Sequence, residues 1–526
     1  MIETEAASPP ARLALPAAGR RAASGWRARL LADGPLVLAL AVLTAYQNWI
    51  LWSHFNGYVF AFTDLGIISD WFSNALYHAR PFWITDMAVN HMGTHFTPTI
   101  FGLTPFFLLS QSQYMLVFLG TLGMAAALFL GHRFLVRLGE KVGAPAPAVS
   151  LLSVVLAVFL SLNPFVKTVL GSAHIEVFYV PLALGLFYVL VFTERRAAAW
   201  VLFALALGVR EESGLYLSLQ CLALWFLPPE LFAGRRRALR LATLFAALAL
   251  VYVVVVVKLV NPLVFGKLEN HVHRGWGQWG DSWGEVVFHW LTRPVQLGEA
   301  IRASACLHLN RSFLFLPWLH PLYGIAVNLP GILLFSAGTP DKQMLWYYNA
   351  SFLLPGFMLG LYVGCYRLAR LAKRLGVLAP ARRRWLYGGL VLGGALLLVV
   401  PVRHRVMTVE APAGYSHRWW PPAAADARLI PDLLRRCPAG TRVATDFRRI
   451  VYLPIRVDRY LLHNTAKADI VLLFPNADTI LANRPTAGEI WRSLEHDGAF
   501  ALRQEGPDFR VYARPGVRCL GARPPS

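Results

Sequence analysis

The chain has 526 residues, 56% of them hydrophobic and only 15% charged, with a mean hydropathy of +0.47. Soluble domains carry roughly a quarter charged residues, so the polar surface needed to cover a water-soluble globule of this size is missing. The formal net charge of +21 would suit a nucleic-acid partner, but its placement excludes one: Arg133/Arg137/Lys141, Arg195/Arg196, Arg235/Arg236/Arg237/Arg240 and Arg367/Arg370/Lys373/Arg374 each abut an apolar run, as cytoplasmic loops of membrane proteins do.

In chain order, residues 1–30 are rich in Ala, Pro and Arg and read as a disordered cytoplasmic tail. Residues 31–402 read as a transmembrane domain. Its first span, Gly34–Ser53, follows arginines and precedes no small-residue cleavage site, which makes it an anchor and not a removed signal peptide. Residues 54–112 form a first extracytoplasmic loop. Within it Phe96–Ser110, broken by Pro98 and Pro105, is too short to cross a bilayer and is expected to lie in the interface.

From there the basic clusters set an alternation. Tyr114–Val136 runs inward, Ser150–Thr168 outward, Val177–Phe192 inward, Ala197–Val209 outward, Gly214–Leu227 inward and Leu241–Val260 outward. A second large loop covers 261–311. Ser312–Ala337, interrupted by Pro317, Pro321 and Pro330, reads as one kinked span or two half-helices. Phe352–Arg370 then runs inward and Trp385–Val402 outward, which leaves 403–526 outside.

That last segment changes character. A helix-like piece, Asp426–Arg436, accompanies strand-like runs at Arg442–Thr445, Ile450–Leu453 and Asp469–Phe474, the pattern of a small α/β domain. The expected fold class is therefore an all-α polytopic membrane protein, a helical bundle of about ten spans or half-spans, with a small C-terminal extracytoplasmic α/β domain. The expected location is the inner membrane of a bacterium, with the N-terminus cytoplasmic and the lipid bilayer as a constant partner.

The five cysteines show no metal-ligand spacing. Cys437 and Cys519 both fall in the C-terminal segment and would be free to pair in an oxidising compartment, although sequence does not fix their separation.

Ionisable groups at the membrane are costly and so mark candidate sites. The alternation brings several to one face: Asp64 in the first loop, His95 in Thr94-His-Phe-Thr-Pro98, His174 and Glu176 after an outward span, and Arg210-Glu-Glu212 at the end of another. A carboxylate there can serve as general base, a guanidinium can bind phosphate oxygens in a fork, and a neutral imidazole can donate a hydrogen bond or hold a metal. Asp64 and Glu176 are the candidate catalytic acids. His95, His174, Arg210, Glu211 and Glu212 are the candidate substrate-binding residues.

Each has a plainer explanation. Asp64 can cap a helix, His95 can hydrogen-bond its own loop, and Arg210 with Glu211 can be an interfacial salt bridge. His174 and Glu176 would diverge on a helix and converge only if extended. Asp70, Asp86 and His91 read as solvated loop residues. His271, His273, Trp276 and Trp279 read as an aromatic belt or a sugar-stacking surface.

Asp64-Leu-Gly66, Arg80-Pro81, His95-Phe-Thr-Pro98, His174 with Glu176, Arg210-Glu-Glu212 and Trp346-Tyr-Tyr-Asn349 stand in an order that resembles the DUF2079 family of predicted membrane proteins. That family is similar in layout to the C-type glycosyltransferases, which carry a catalytic acid in the first extracytoplasmic loop and use polyprenyl-phosphate sugars. The resemblance implies that Asp64 matches that acid, that Glu176 falls near a second one, and that the donor partner is a polyprenyl-phosphate sugar. The first loop has Asp-Leu-Gly where mannosyltransferases have an adjacent acidic pair. The expected activity is glycosyl transfer to an extracytoplasmic acceptor, with a divalent metal as a cofactor left open. A transporter or flippase-like carrier, or a membrane scaffold, is the alternative.

Overall fold

The structure, a computed structural model, describes residues 22–56, 63–86, 88–93, 95–110, 112–172, 174–265, 275–345, 348–375, 429–445, 449–454, 456–474, 487–496, 498–506 and 509–520. Residues 1–21 of the expected tail, the expected span Trp385–Val402, and His271 and His273 lie outside these residues, whereas residues 22–30, expected as disordered tail, are helical and open the first helix.

The apolar runs form helices because a backbone in lipid must satisfy its own hydrogen bonds. In order they are α1 (Ala22–Asn56), α2 (Thr63–Tyr77), α3 (Tyr114–Val142), α4 (Ala146–Leu162), α5 (Pro164–Gly171), α6 (Tyr179–Phe192), α7 (Arg196–Leu207), α8 (Ser213–Ala223) and α9 (Arg235–Val255), followed by α10 (Trp283–Thr292), α11 (Pro294–Ala303), α12 (Cys306–Ser312), α13 (Pro321–Phe335) and α14 (Leu354–Arg374). Among the described residues, Asp33–Ser53, Tyr114–Val142, Ile175–Phe192 and Arg235–Phe265 are long and apolar enough to cross a membrane; α4 and α5 add a fifth if their 60° bend is one broken span. Pro164 starts α5 with the Asn163 side chain capping it, which accounts for the bend.

Helix ends show which residues share a side. At one end Asp33 bonds His132 and lies 3.5 Å from Arg133, Glu194 pairs with Arg237 at 3.1 Å, Arg370 pairs with Glu230, and Lys373 Nζ donates to Val142 O at 3.1 Å. The basic clusters of four segments therefore gather there. At the opposite end Tyr114 Oη donates to Asn48 O at 2.7 Å, and α3, α6, α7 and α14 each reach that end from the basic side. Ser312–Ala337 resolves into unequal pieces: a short turn at Leu316–Leu319, held at the basic end by Arg367, then α13.

The second large loop is not irregular. It carries α10, α11 and α12. Trp276 and Trp279, expected as a belt or a stacking surface, are buried instead, donating to Leu333 O and Ser336 O at the end of α13. An indole N–H left unbonded would be costly there, and these two carbonyls are free at a helix C-terminus.

A small hairpin, β1 (Trp83–Ile84) with β2 (Val89–Asn90), sits in the first loop. The C-terminal domain has a five-stranded mixed sheet in the order β4-β3-β5-β7-β6. Its strands are β3 (Arg442–Thr445), β4 (Asp458–Leu461), β5 (Ile470–Leu473), β6 (Ala501–Glu505) and β7 (Arg510–Ala513). β3 is parallel to β4 and β5, and β7 is antiparallel to β5 and β6. Helices at Leu429–Leu434 and Ala487–His496 accompany it. The expected strand at Ile450–Leu453 is a 3-10 turn, Ile450–Tyr452. A four-residue apolar run fits either form, and here it is used as a plug against α2. Cys437 and Cys519 form a disulfide across an 82-residue separation, while Cys221, Cys306 and Cys365 are free.

Candidate functional site

Four segments meet at the end of the bundle opposite the basic clusters. They are the 91–97 stretch of the first loop, the 174–178 turn before α6, the 208–212 turn between α7 and α8, and the 348–353 turn before α14. At their centre is Arg210, 5% exposed. Its Nη1 donates to Glu176 Oε1 at 2.5 Å and its Nη2 to His95 Nε2 at 2.9 Å. Its guanidinium carbon lies 5.2 Å from the centre of the Tyr348 ring. Nε makes no hydrogen bond, its nearest carboxylate oxygen being Glu212 Oε2 at 3.8 Å.

The protonation of His95 follows from its partners. A guanidinium only donates, so Nε2 accepts and the proton sits on Nδ1, 2.8 Å from Glu211 Oε1. Glu211 Oε2 accepts from the backbone N–H of Phe96 at 2.8 Å. Glu211 therefore clamps the 95–96 segment to the turn that carries Arg210. Gly208 allows the clamp to close: a Cβ there would stand 2.3 Å from Thr99 Oγ1.

Glu176 has no exposed surface and accepts from both Arg210 and His174 Nδ1. The two residues converge because His174 is extended, with φ −105° and ψ 157°, the one geometry that brings positions two apart together. The His174 ring stacks on Tyr348 with centroids 4.0 Å apart.

Sequence reasoning placed neither His91 nor Tyr348 in the site. His91 is 9% exposed, its ring tilted 33° against Trp71 with centroids 4.0 Å apart and 5.5 Å from His95. Burial above all, then the electrostatic influence of His95, Arg210 and His174, holds its pKa well below the usual histidine range, so it is neutral. A signal was available in its spacing: four residues before His95, its carbonyl accepts the His95 N–H at 2.8 Å.

Asp64 lies in the first turn of α2; its side chain is outside what the structure describes. Gly66 of the same motif has a clear purpose. A Cβ there would come 2.8 Å from Ile450 Cγ2, so α2 lies directly on the C-terminal domain. Asp70 and Asp86, expected to be solvated, are 3% and 9% exposed because that domain covers them. Asp70 Oδ1 is 3.4 Å from Arg459 Nη1, and Asp86 Oδ1 accepts from Leu461 N–H at 2.9 Å and Asn464 Nδ2 at 2.8 Å.

Among the described residues, no three His, Cys, Asp or Glu side chains stand together as ligands for a metal ion.

The fold is that of a membrane protein with a helical bundle and a small C-terminal sheet domain. The DUF2079 family of predicted membrane proteins matches residues 43–508, and the chain belongs to that family. None of the curated proteins matches the chain. Among solved structures, the crystal structure of ArnT from Cupriavidus metallidurans bound to undecaprenyl phosphate is similar over 93% of this chain and 100% of its own, with 12% sequence identity and a TM-score of 0.45.

Proposed function

We propose that this chain is a membrane glycosyltransferase that moves a sugar from a polyprenyl-phosphate donor to an acceptor outside the cytoplasm. One observation carries the proposal: a buried guanidinium, its Nε without a hydrogen bond, standing among imidazoles and an aromatic ring at the end of an apolar bundle. A lipid phosphate presents its oxygens at that depth, where the tail stays in hydrocarbon. The sidedness is supported by the basic clusters at the other end and by a disulfide in the C-terminal domain, since such bonds persist in oxidising compartments.

In this proposal the acceptor hydroxyl gives its proton to Asp64 as its oxygen bonds the anomeric carbon. The bond from that carbon to the phosphate oxygen breaks, and the phosphate leaves with the electron pair on the face opposite the attack, which inverts the centre. Arg210 meets the charge that grows on the departing oxygens, where a fixed donor is most effective. His95 and His174 line the donor pocket, Glu176 holds Arg210 and His174, and Glu211 and Glu212 complete the rim.

The test is incubation of the purified, reconstituted protein with labelled polyprenyl-phosphate sugars. Transfer of label that Asp64→Ala and Arg210→Ala both abolish is expected. Either variant working at the wild-type rate would overturn the assignment.

A further inference from the structure

We infer that the C-terminal domain sets the geometry of the site by holding the first loop, with Asp70, Asp86 and Arg459 as positioning residues for His95. Arg459, 1% exposed, emerges from β4. Its Nη2 donates to Pro454 O at 2.9 Å and Leu453 O at 3.3 Å within its own domain, and its Nη1 faces Asp70 across the interface. Next to it Asp458 accepts from His78 Nε2 at 2.9 Å, and Gln113 donates to Leu453 O at 2.7 Å. Asp86 closes the far side on Leu461, Asn464 and, at 3.6 Å, His463.

From these anchors a continuous set of bonds runs to the site. Asp70 Oδ2 accepts from the Thr85 N–H at 2.6 Å, and Asn74, one turn along α2, donates to Trp83 O and Thr85 Oγ1. Both fix β1. β1 pairs with β2 through Trp83↔Asn90 and Ile84↔Val89, the His91 N–H donates to Phe82 O at 2.7 Å, and the His95 N–H donates to His91 O at 2.8 Å. Trp71, adjacent to Asp70, packs against His91 in a tilted ring contact. The segment between Asp86 and His95 thus has its fixed points on α2 and the C-terminal sheet. A buried ion pair contributes little net stability but specifies one arrangement over others. The inference rests on the proposed function only in giving His95 a part in donor binding; the held geometry stands without it.

The experiment is carbethoxylation of the full-length protein by diethylpyrocarbonate, with the rate at His95 followed by tandem mass spectrometry. No donor is needed, so an absence of glycosyl transfer would sink the functional proposal and leave this result readable. Arg459→Met and Asp86→Ala are each expected to raise the His95 rate severalfold with the Cys437–Cys519 disulfide intact, and Arg459→Lys to restore part of the protection. Glu505→Gln, which removes an exposed partner of Arg510 on the far strand of the same sheet, is expected to change nothing. Should Arg459→Met lose its disulfide, Asp86→Ala decides. Wild-type reactivity in Asp86→Ala, or an equal rise in Glu505→Gln, overturns the inference.

Discussion

Arg210 and Arg459 are both buried guanidiniums that bridge segments far apart in sequence, yet they are partnered differently. Arg459 spends its Nη2 hydrogens on two backbone carbonyls and meets one carboxylate, Asp70. Arg210 is bonded to side chains alone, Glu176 and His95, with Glu212 and the Tyr348 ring close by. Backbone carbonyls neither titrate nor swing away, so Arg459 is fixed in one role. The partners of Arg210 can gain protons, rotate or give place to a ligand oxygen. The contrast separates a guanidinium that holds the fold from one equipped to handle a substrate.

The largest effect should come from Arg210. Arg210→Met leaves Glu176, with no exposed surface, as a buried carboxylate facing the His174 imidazole. Breaking one side of a buried ion pair costs about 3–5 kcal/mol, to be read as a lowered unfolding midpoint in detergent. Glu176→Gln added to Arg210→Met should recover much of that loss, since the orphaned charge is gone. Transfer should stay depressed by ~100-fold or more in the double variant. Recovery of transfer together with stability would make Arg210 a fold-holding residue like Arg459, and the contrast would dissolve.

Arg459→Met should cost less, about 2–3 kcal/mol at pH 7, because the carboxylate it abandons has a way out. Burial, only partly offset by Arg459, pushes the Asp70 carboxyl up to about 6, so protonation relieves it cheaply. The penalty should shrink at pH 5. Unfolding midpoints of the variant and wild type at both pH values check this, and a penalty larger than that of Arg210→Met would reverse the ranking of the two sites.

What the sequence reveals follows the range over which its signals act. Runs such as Tyr114–Val142 and Arg235–Phe265 announce helices because every position contributes to one apolar average. Arg210, Glu211, His95, His174 and Glu176 stand out because charge at the end of an apolar run is unusual wherever it is found. Which of them pair is less visible: Arg210 meets Glu176 across 34 residues, and Glu211 meets His95 across 116. Asp70 and Asp86 look solvated because their loop is polar, and the groups that bury them, Arg459 and Leu461, arrive 389 and 375 residues later. Tyr348 is hidden for another reason, since an aromatic residue near a span end is commonplace at a membrane interface. Ile450–Leu453 misleads because apolarity says that a segment is buried and nothing about whether it pairs as a strand.

The smallest effect tests the clamp in the opposite sense from a conventional salt bridge. The ordinary value for Asp70 is 3.8, and the folded protein raises it to about 6, with desolvation as the leading cause and the Arg459 charge working against it. Between those values the folded state binds more protons at this carboxyl than the unfolded state does. Stability contributed by Asp70 therefore increases as pH falls through about 6 toward 3.8 and declines as pH rises through the same window. Relative to Asp70→Asn, whose side chain does not titrate, the wild type should gain about 1 kcal/mol between pH 6 and pH 5, while the gap between the two stays level above pH 7. Paired unfolding curves across that range give the difference directly, with the other carboxylates cancelling between the two proteins. A wild type that instead loses ground to Asp70→Asn on acidification would mean that Arg459 stabilises the charged carboxylate by more than burial costs it, and Arg459 would then belong with Arg210 as a guanidinium that works through charge.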